Sequence, residues 1–234
     1  MNVPMKKLFR RLAPLLLVLC APAFAVAQDE GNPANWCRNG AFTNDAKEFK
    51  LARAIGDKGA RVYFYGDDED CPKPGAKCRQ KAYVVPGDAL IVSRTFGDFV
   101  CAWYQPSKGS ETVGWIAASQ LSVTEADKNP PLASWLGAWE FYSNALNIRR
   151  GAKAGLLRVE GEAFWHGVNP ENIHTGAVDG EGLPAAGVLT LAPDDDICKI
   201  TLRLIGEYLV ADDNGDCGGA NVTFDGVYRR KKKR

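Results

Sequence analysis

From Trp36 onward the chain is a series of short apolar runs separated by Gly, Asp, Asn and Pro. Arg61–Tyr65 (RVYFY) is β-branched and aromatic and stops at Gly66-Asp67-Asp68, and Ala82–Val85 runs into Pro86-Gly87-Asp88. Ala89–Ser93, Phe99–Tyr104 and Val113–Ala117 follow. Runs of this length and composition between turn formers read as strands. Helical periodicity is weak throughout, and Ser119–Leu121 amounts to one 3₁₀ turn. Thr124–Pro131 is polar, charged and closed by two prolines, which stiffen a connection and cannot donate to a ladder. The β texture then resumes at Ala138–Tyr142, Leu156–Val159, Ala163–His166, Val188–Leu191, Ile197–Ile205, Tyr208–Ala211 and Val222–Tyr228. Ile205-Gly206-Glu207-Tyr208 has the form of a tight hairpin. The pattern predicts an all-β chain of two small domains, 28–131 and 132–230, followed by a basic tail.

The first thirty residues depart from this pattern. Lys6, Lys7, Arg10 and Arg11 precede the apolar run Leu12–Leu19, and Ala25-Val26-Ala27 offers small residues for cleavage before Gln28. This is the layout of a secretory signal, with an apolar run too short to span a bilayer. Cys20 follows Leu19 where a lipidated cysteine needs a small residue, so lipidation is not expected. No later stretch of eighteen apolar residues exists.

Removing the leader changes the charge and cysteine counts. Residues 28–228 carry 19 basic and 28 acidic side chains, net −9, ahead of the basic run Arg229–Arg234. An acidic body makes no case for nucleic acid as a partner. The tail reads as a solubilising end rather than a membrane contact. Six cysteines remain, an even number that in an exported chain points to disulfides. Cys198 and Cys217 flank a hairpin and are expected to pair. The other four allow three pairings, of which the short loop Cys71–Cys78 is favoured, with Cys37–Cys101 tying the N-terminal extension to the first domain.

Val85–Val92 (VPGDALIV), Phe99–Tyr104 (FVCAWY), Thr112–Ala117 (TVGWIA) and Leu121 come in an order that resembles the bacterial SH3-like domain. The resemblance covers about forty residues, and Gly114-Trp115-Ile116 is its most specific part. It implies a small barrel of about five strands, a positive φ at Gly87 and a domain that binds peptides or cell-wall material without catalysis. Trp103, Tyr104 and Trp115 are the aromatic residues it offers for binding, although strand aromatics are first of all core. In the second half, Gly137-Ala138-Trp139 with Arg229 and Arg230 at the far end is similar to small lipocalin-like barrels. There a tryptophan at the barrel floor is covered by an arginine. The Cys-Gly-Gly ending is also loosely similar to secreted β domains grouped with lysozyme inhibitors. The resemblances thus imply an SH3-like small barrel followed by a second small β-barrel or β-sandwich.

Candidate chemistry is sparse. His166 and His174 are the only histidines, no Gly-x-Ser-x-Gly elbow is present, and His166 reads as an edge residue rather than a base. Asp212-Asp213-Asn214-Gly215-Asp216 opens like a calcium loop, but Thr223 stands where the twelfth ligand belongs. Asp194–Asp196 reads as a hairpin tip. No catalytic residue, metal ligand or cofactor is therefore assigned. The expectation is an exported, non-enzymatic periplasmic protein whose partner is peptidoglycan or a cell-wall-degrading enzyme. The alternative is a cell-wall hydrolase with an SH3-like anchor. Oligomeric state and ligand stay open.

Overall fold

Seven strands between Lys50 and Thr124 form one antiparallel sheet: β1 (Lys50–Ala54), β2 (Val62–Tyr65), β3 (Arg79–Val84), β4 (Ala89–Phe96), β5 (Phe99–Tyr104), β6 (Thr112–Ala117) and β7 (Leu121–Thr124). Their spatial order is β3-β2-β6-β5-β4-β1-β7. The structure, a computed structural model, describes residues 36–44, 46–169, 171–191 and 197–231. The leader with its cleavage before Gln28, the tip at Asp194–Asp196 and residues 232–234 lie outside the described residues. The Pro86-Gly87 turn forms as expected, with Gly87 at φ +98° and the Asp88 amide donating to the Val85 carbonyl at 3.0 Å. That geometry needs glycine at the third position of the turn.

Alternation along these strands sends side chains to two separate cores. Ala52, Val62, Phe64, Val84, Leu90, Val92, Val100, Ala102, Ile116 and Leu121 come from all seven strands and pack into one cluster, so the sheet curls around it. Ile91, Phe99, Cys101, Trp103, Val113 and Trp115 point the other way, yet they are buried too. Their cover is Cys37, Phe42, Ala46 and Phe49 from the segment before β1, together with Ile205, Val210 and Val227, which come from strands after Thr124.

Eight further strands form the second sheet: β8 (Gly137–Phe141), β9 (Asn144–Arg150), β10 (Leu157–His166), β11 (Ile173–Gly182), β12 (Val188–Leu191), β13 (Ile200–Ile205), β14 (Tyr208–Asp213) and β15 (Gly226–Arg230). Each pairs with its sequence neighbour except β11 with β12, and β15 returns to pair with β8. At the remaining seam a Cβ on Gly182 would lie 2.7 Å from Leu189 and 3.0 Å from the Thr190 carbonyl. The meander is therefore a nearly closed barrel, which decides between the barrel and the sandwich. Its interior is filled by Trp135, Trp139, Leu146, Leu157, Val159, Leu189, Leu202, Phe224 and Tyr228. Arg230 lies 4.3 Å over the Trp139 ring and donates to the Ser134 and Leu136 carbonyls, closing the floor. Arg230, not Arg229, therefore makes the stacking contact that the lipocalin resemblance implied.

Period-two patterning explains how the two sheets join. On β14, Leu209 and Ala211 face the barrel interior, so Tyr208 and Val210 should face water. Val210 is instead fully buried, and Tyr208 meets Trp103 edge-on at 5.2 Å between ring centroids. A strand apolar on both faces is covered on both faces. The barrel wall at Ile205, Val210 and Val227 is that covered surface.

All three disulfides pair as expected: Cys37–Cys101, Cys71–Cys78 and Cys198–Cys217, with Cα separations of 5.6, 5.6 and 4.5 Å. They mark an oxidising compartment outside the cytoplasm. No helix among the described residues is long and apolar enough to cross a membrane.

Candidate functional site

The three aromatic residues offered for binding lie close together but not on an open surface. Trp103 is 2% exposed, Trp115 is fully buried and Tyr104 is half-buried. Trp103 and Trp115 do stand on the outer side of the curled sheet, where a ligand face would be. That side is occupied from within the chain by the extension and the barrel wall. The Trp103 indole donates to Glu111 at 2.6 Å, and burial holds the Glu111 carboxyl above the usual carboxylate range.

The most exposed large apolar side chain among the described residues, Val168, belongs instead to the hairpin β10–β11. β9 pairs with β10 only as far as Ala145 and Glu162. The β10–β11 ladder continues beyond that point, from Ala163 and Gly176 to His166 and Ile173. Four residues of each strand thus run on beyond β9 as a two-stranded ribbon, rooted in the barrel core by Ala163 and Trp165, with its tip extending past the last pairs. At its tip Val168 is fully exposed and Ile173 is 45% exposed. The tip holds its shape through the Gly167 amide on the Asn172 carbonyl and the Asn172 amide on the Asn169 carbonyl, both at 2.9 Å.

A two-stranded ribbon needs support, because an isolated hairpin is marginal in water. Where β9 gives out, the Asn144 side chain takes its place, accepting from the Phe164 amide and donating to the Thr223 carbonyl, both at 2.9 Å. On the other edge the turn Cys217-Gly218-Gly219 presses against β11. The Gly219 amide donates to the Thr175 carbonyl at 3.1 Å, and His174 Nδ1 lies 2.6 Å from the Ala220 carbonyl. A Cβ at Gly176 would sit 2.4 Å from the Cys217 carbonyl, and one at Gly218 would sit 2.7 Å from Gly176. Only glycine permits this backbone approach. The Cys198–Cys217 disulfide fixes the turn to the strand side.

The loop once compared with a calcium site supplies the rest of the brace. Asp213 accepts from the Phe224 amide at 2.6 Å and the Gly215 amide at 2.7 Å, and Asn214 accepts from the Lys199 amide at 2.9 Å. Asp225 accepts from the Asp213 amide at 2.7 Å. These oxygens bind the loop to itself, and no metal-holding cluster is found among the described residues. Beside the hairpin lies an open groove of about 470 Å³, lined by Glu162, Phe164, Thr175, Ala177 and the Cys217-Gly218-Gly219 turn. Both histidines lie on the ribbon: His166 stacks near Phe164, and His174 packs on Trp165.

Burial pushes the Asp225 carboxyl up to about 6. An unfolded chain would release that proton near pH 4. Below pH 4 the group is protonated in both states and has no effect. Stability then falls as the pH rises from about 4 to about 6, and above 6 the full cost of a buried carboxylate is present. Asp225→Asn keeps the acceptor for the Asp213 amide and removes the charge. Since the group is partly exposed, it should raise stability by about 1–2 kcal/mol at pH 7.5 and by nothing measurable near pH 3.5. Urea midpoints at the two pH values test this, and a pH-independent difference would refute it.

Sequence reasoning missed this site because it did not recognise β11. Ile173–Gly182 (IHTGAVDGEG) has few β formers and three interior-facing glycines. A readable signal was the charge pattern: Val159–Leu183 carries Glu160, Glu162, Glu171, Asp179 and Glu181 and not one Lys or Arg. The chain matches no protein-family model, no curated protein and no solved structure.

Proposed function

We propose that this is an exported, periplasmic binding protein, without catalytic chemistry of its own, that inhibits a basic cell-wall-cutting enzyme by presenting the β10–β11 hairpin. The observation that carries the reading is a rigid, braced ribbon with an apolar tip on an acidic segment. A preformed projection loses little conformational entropy on entering a cleft, which favours affinity. Val168 and Ile173 supply the apolar anchor, and Glu162 and Glu171, the carboxylates of Val159–Leu183 that are not paired with Arg149 or Arg158, match a basic partner and speed encounter. The filled barrel interior supports the same reading, because its packed side chains direct recognition to the outside.

The test is the rate at which a lysozyme clears isolated sacculi, with and without the purified protein, at low and raised salt. Inhibition is expected, and it should weaken with salt because exposed charges are screened beyond ~8 Å at physiological ionic strength. The double variant Val168→Asp/Ile173→Asp should weaken inhibition about tenfold or more with unchanged far-ultraviolet circular dichroism. Absence of inhibition sinks the reading, as does inhibition that the double variant leaves intact. Clearing of sacculi by the protein alone would favour a hydrolase instead. Absence of inhibition combined with co-sedimentation would favour wall binding.

A further inference from the structure

The first sheet carries a second surface whose chemistry differs from the rest of the body. On the outward face of β2 and β3, Tyr63 and Tyr83 are cross-strand partners, and their rings meet edge-on at 5.8 Å. Arg61 lies 4.7 Å over the Tyr83 ring, and Arg79 lies 4.7 Å over the Tyr63 ring. The result is a ladder in the order Arg61, Tyr83, Tyr63, Arg79. Alternation along β3 places Lys81 on the same face, between Arg79 and Tyr83. Among the described residues none of these three bases forms an ion pair, whereas Lys73 and Lys77 in the neighbouring loop are paired with Asp70 and Glu69. Three unneutralised cations on one face are unexpected in a body of net charge −9.

The rings fix how the cations can be used. A guanidinium lying over an aromatic ring is held flat by the cation–π contact while its N–H edge stays available. Arg79 thus presents a guanidinium edge to a carboxylate, and Arg61, which also hydrogen-bonds Tyr63, offers its remaining N–H groups; charged pairing of this kind is among the stronger polar contacts. Two guanidinium groups at the ends of a short ladder suit a ligand with repeated carboxylates. Tyr83, 41% exposed, leaves ring surface between them for an apolar sugar face. A broad anionic membrane would meet the acidic body as well as the ladder and be repelled by it. A thin chain can touch the ladder alone. A peptide adding to the sheet would bind the backbone edge of β3, whereas these side chains stand on its face.

We propose that the Arg61–Tyr83–Tyr63–Arg79 ladder binds an acidic polysaccharide, with both guanidinium groups pairing carboxylates on successive or near-successive sugars. The surface lies on a different sheet from the β10–β11 hairpin, and the proposal stands whether or not the protein inhibits an enzyme. Calorimetry of the full chain with polygalacturonate at low salt should show binding that is lost in 0.5 M NaCl. Arg61→Gln/Arg79→Gln should weaken it about tenfold or more, since each lost charged hydrogen bond is worth that much. Lys58→Gln/Lys108→Gln, which removes the same charge from other sites, should change it less than twofold. Arg61→Lys/Arg79→Lys keeps the charge and removes the guanidinium groups, and should fall close to the Gln pair. No binding at low salt overturns the proposal, as does equal loss in the Lys58/Lys108 control. Tighter binding to poly-glutamate than to polygalacturonate, or to anionic phosphatidylglycerol vesicles, overturns it in favour of a peptide or a membrane.

Discussion

Replacing Cys37 and Cys101 with alanine is expected to lower stability by about 4 kcal/mol, the largest loss from removing any one of the three disulfides. The bond joins positions 64 apart in sequence, against 19 for Cys198–Cys217 and 7 for Cys71–Cys78. Loop-closure entropy rises with the logarithm of that separation, which puts the shortest loop at only about 2.5 kcal/mol. Location increases the difference. Cys37 and Cys101 are buried in the cluster that joins the extension, the first sheet and the barrel wall. Without the bond, the segment from Cys37 to Phe49 is held by three polar anchors, one of them Asn39, which donates to the Glu111 carbonyl and accepts from the Val113 amide. Arg38 and the Cys37 amide bind the buried Asp67, and Arg94 caps the carbonyls of Ala41, Phe42 and Asn44. Those anchors should keep the variant folded at low urea while its midpoint drops. Urea unfolding of the three paired-alanine variants tests the ranking, and a Cys71/Cys78 variant that loses as much as the Cys37/Cys101 variant would break it.

The legible parts of this fold were short runs of β-branched and aromatic residues bounded by unambiguous turn residues. Phe99–Tyr104 and Val188–Leu191 were read to the residue, and the Pro86-Gly87 and Gly206-Glu207 turns follow from backbone chemistry alone. β7 was read only as a closing turn running into the linker, and β1, β9 and β11 were not read, each for a different reason. Lys50–Ala54 (KLARA) is built from helix formers and becomes a strand because β4 and β7 pair with it on both sides. Asn144–Arg150 alternates between buried Asn144, Leu146 and Ile148 and exposed positions, but its polar members hid the period. In β11 glycines replace side chains where Leu189, Leu191 and the Cys217 turn need room. Local sequence does not reveal a residue that is small because a distant one is large.

The same limit explains the aromatic residues of the first domain. Their identity said that they pack, while their partner was set by a surface about one hundred residues away. Trp103 gives the second large prediction, because its two sides do different things. Its ring packs on Tyr208 of the barrel, and its indole nitrogen donates to Glu111, which is only 8% exposed. Trp103→Ala removes both and opens a cavity at the joint, with an expected loss of about 3–5 kcal/mol. The barrel and the first domain should then unfold in two steps rather than one. Trp103→Phe separates the contributions, since it keeps most of the ring contact and deletes the donor. At pH 7.5 that leaves a buried carboxylate without its hydrogen bond, for about 1–3 kcal/mol. The bond favours the ionised form of Glu111, so its loss moves the carboxyl further up from a range already raised by burial. As the pH falls and Glu111 takes up a proton in both proteins, the difference between Trp103→Phe and wild type should shrink. Urea midpoints at pH 7.5 and pH 4 measure it. A Phe variant that loses the same amount at both values would show that the indole nitrogen contributes nothing through Glu111 and that the joint is held by ring packing alone.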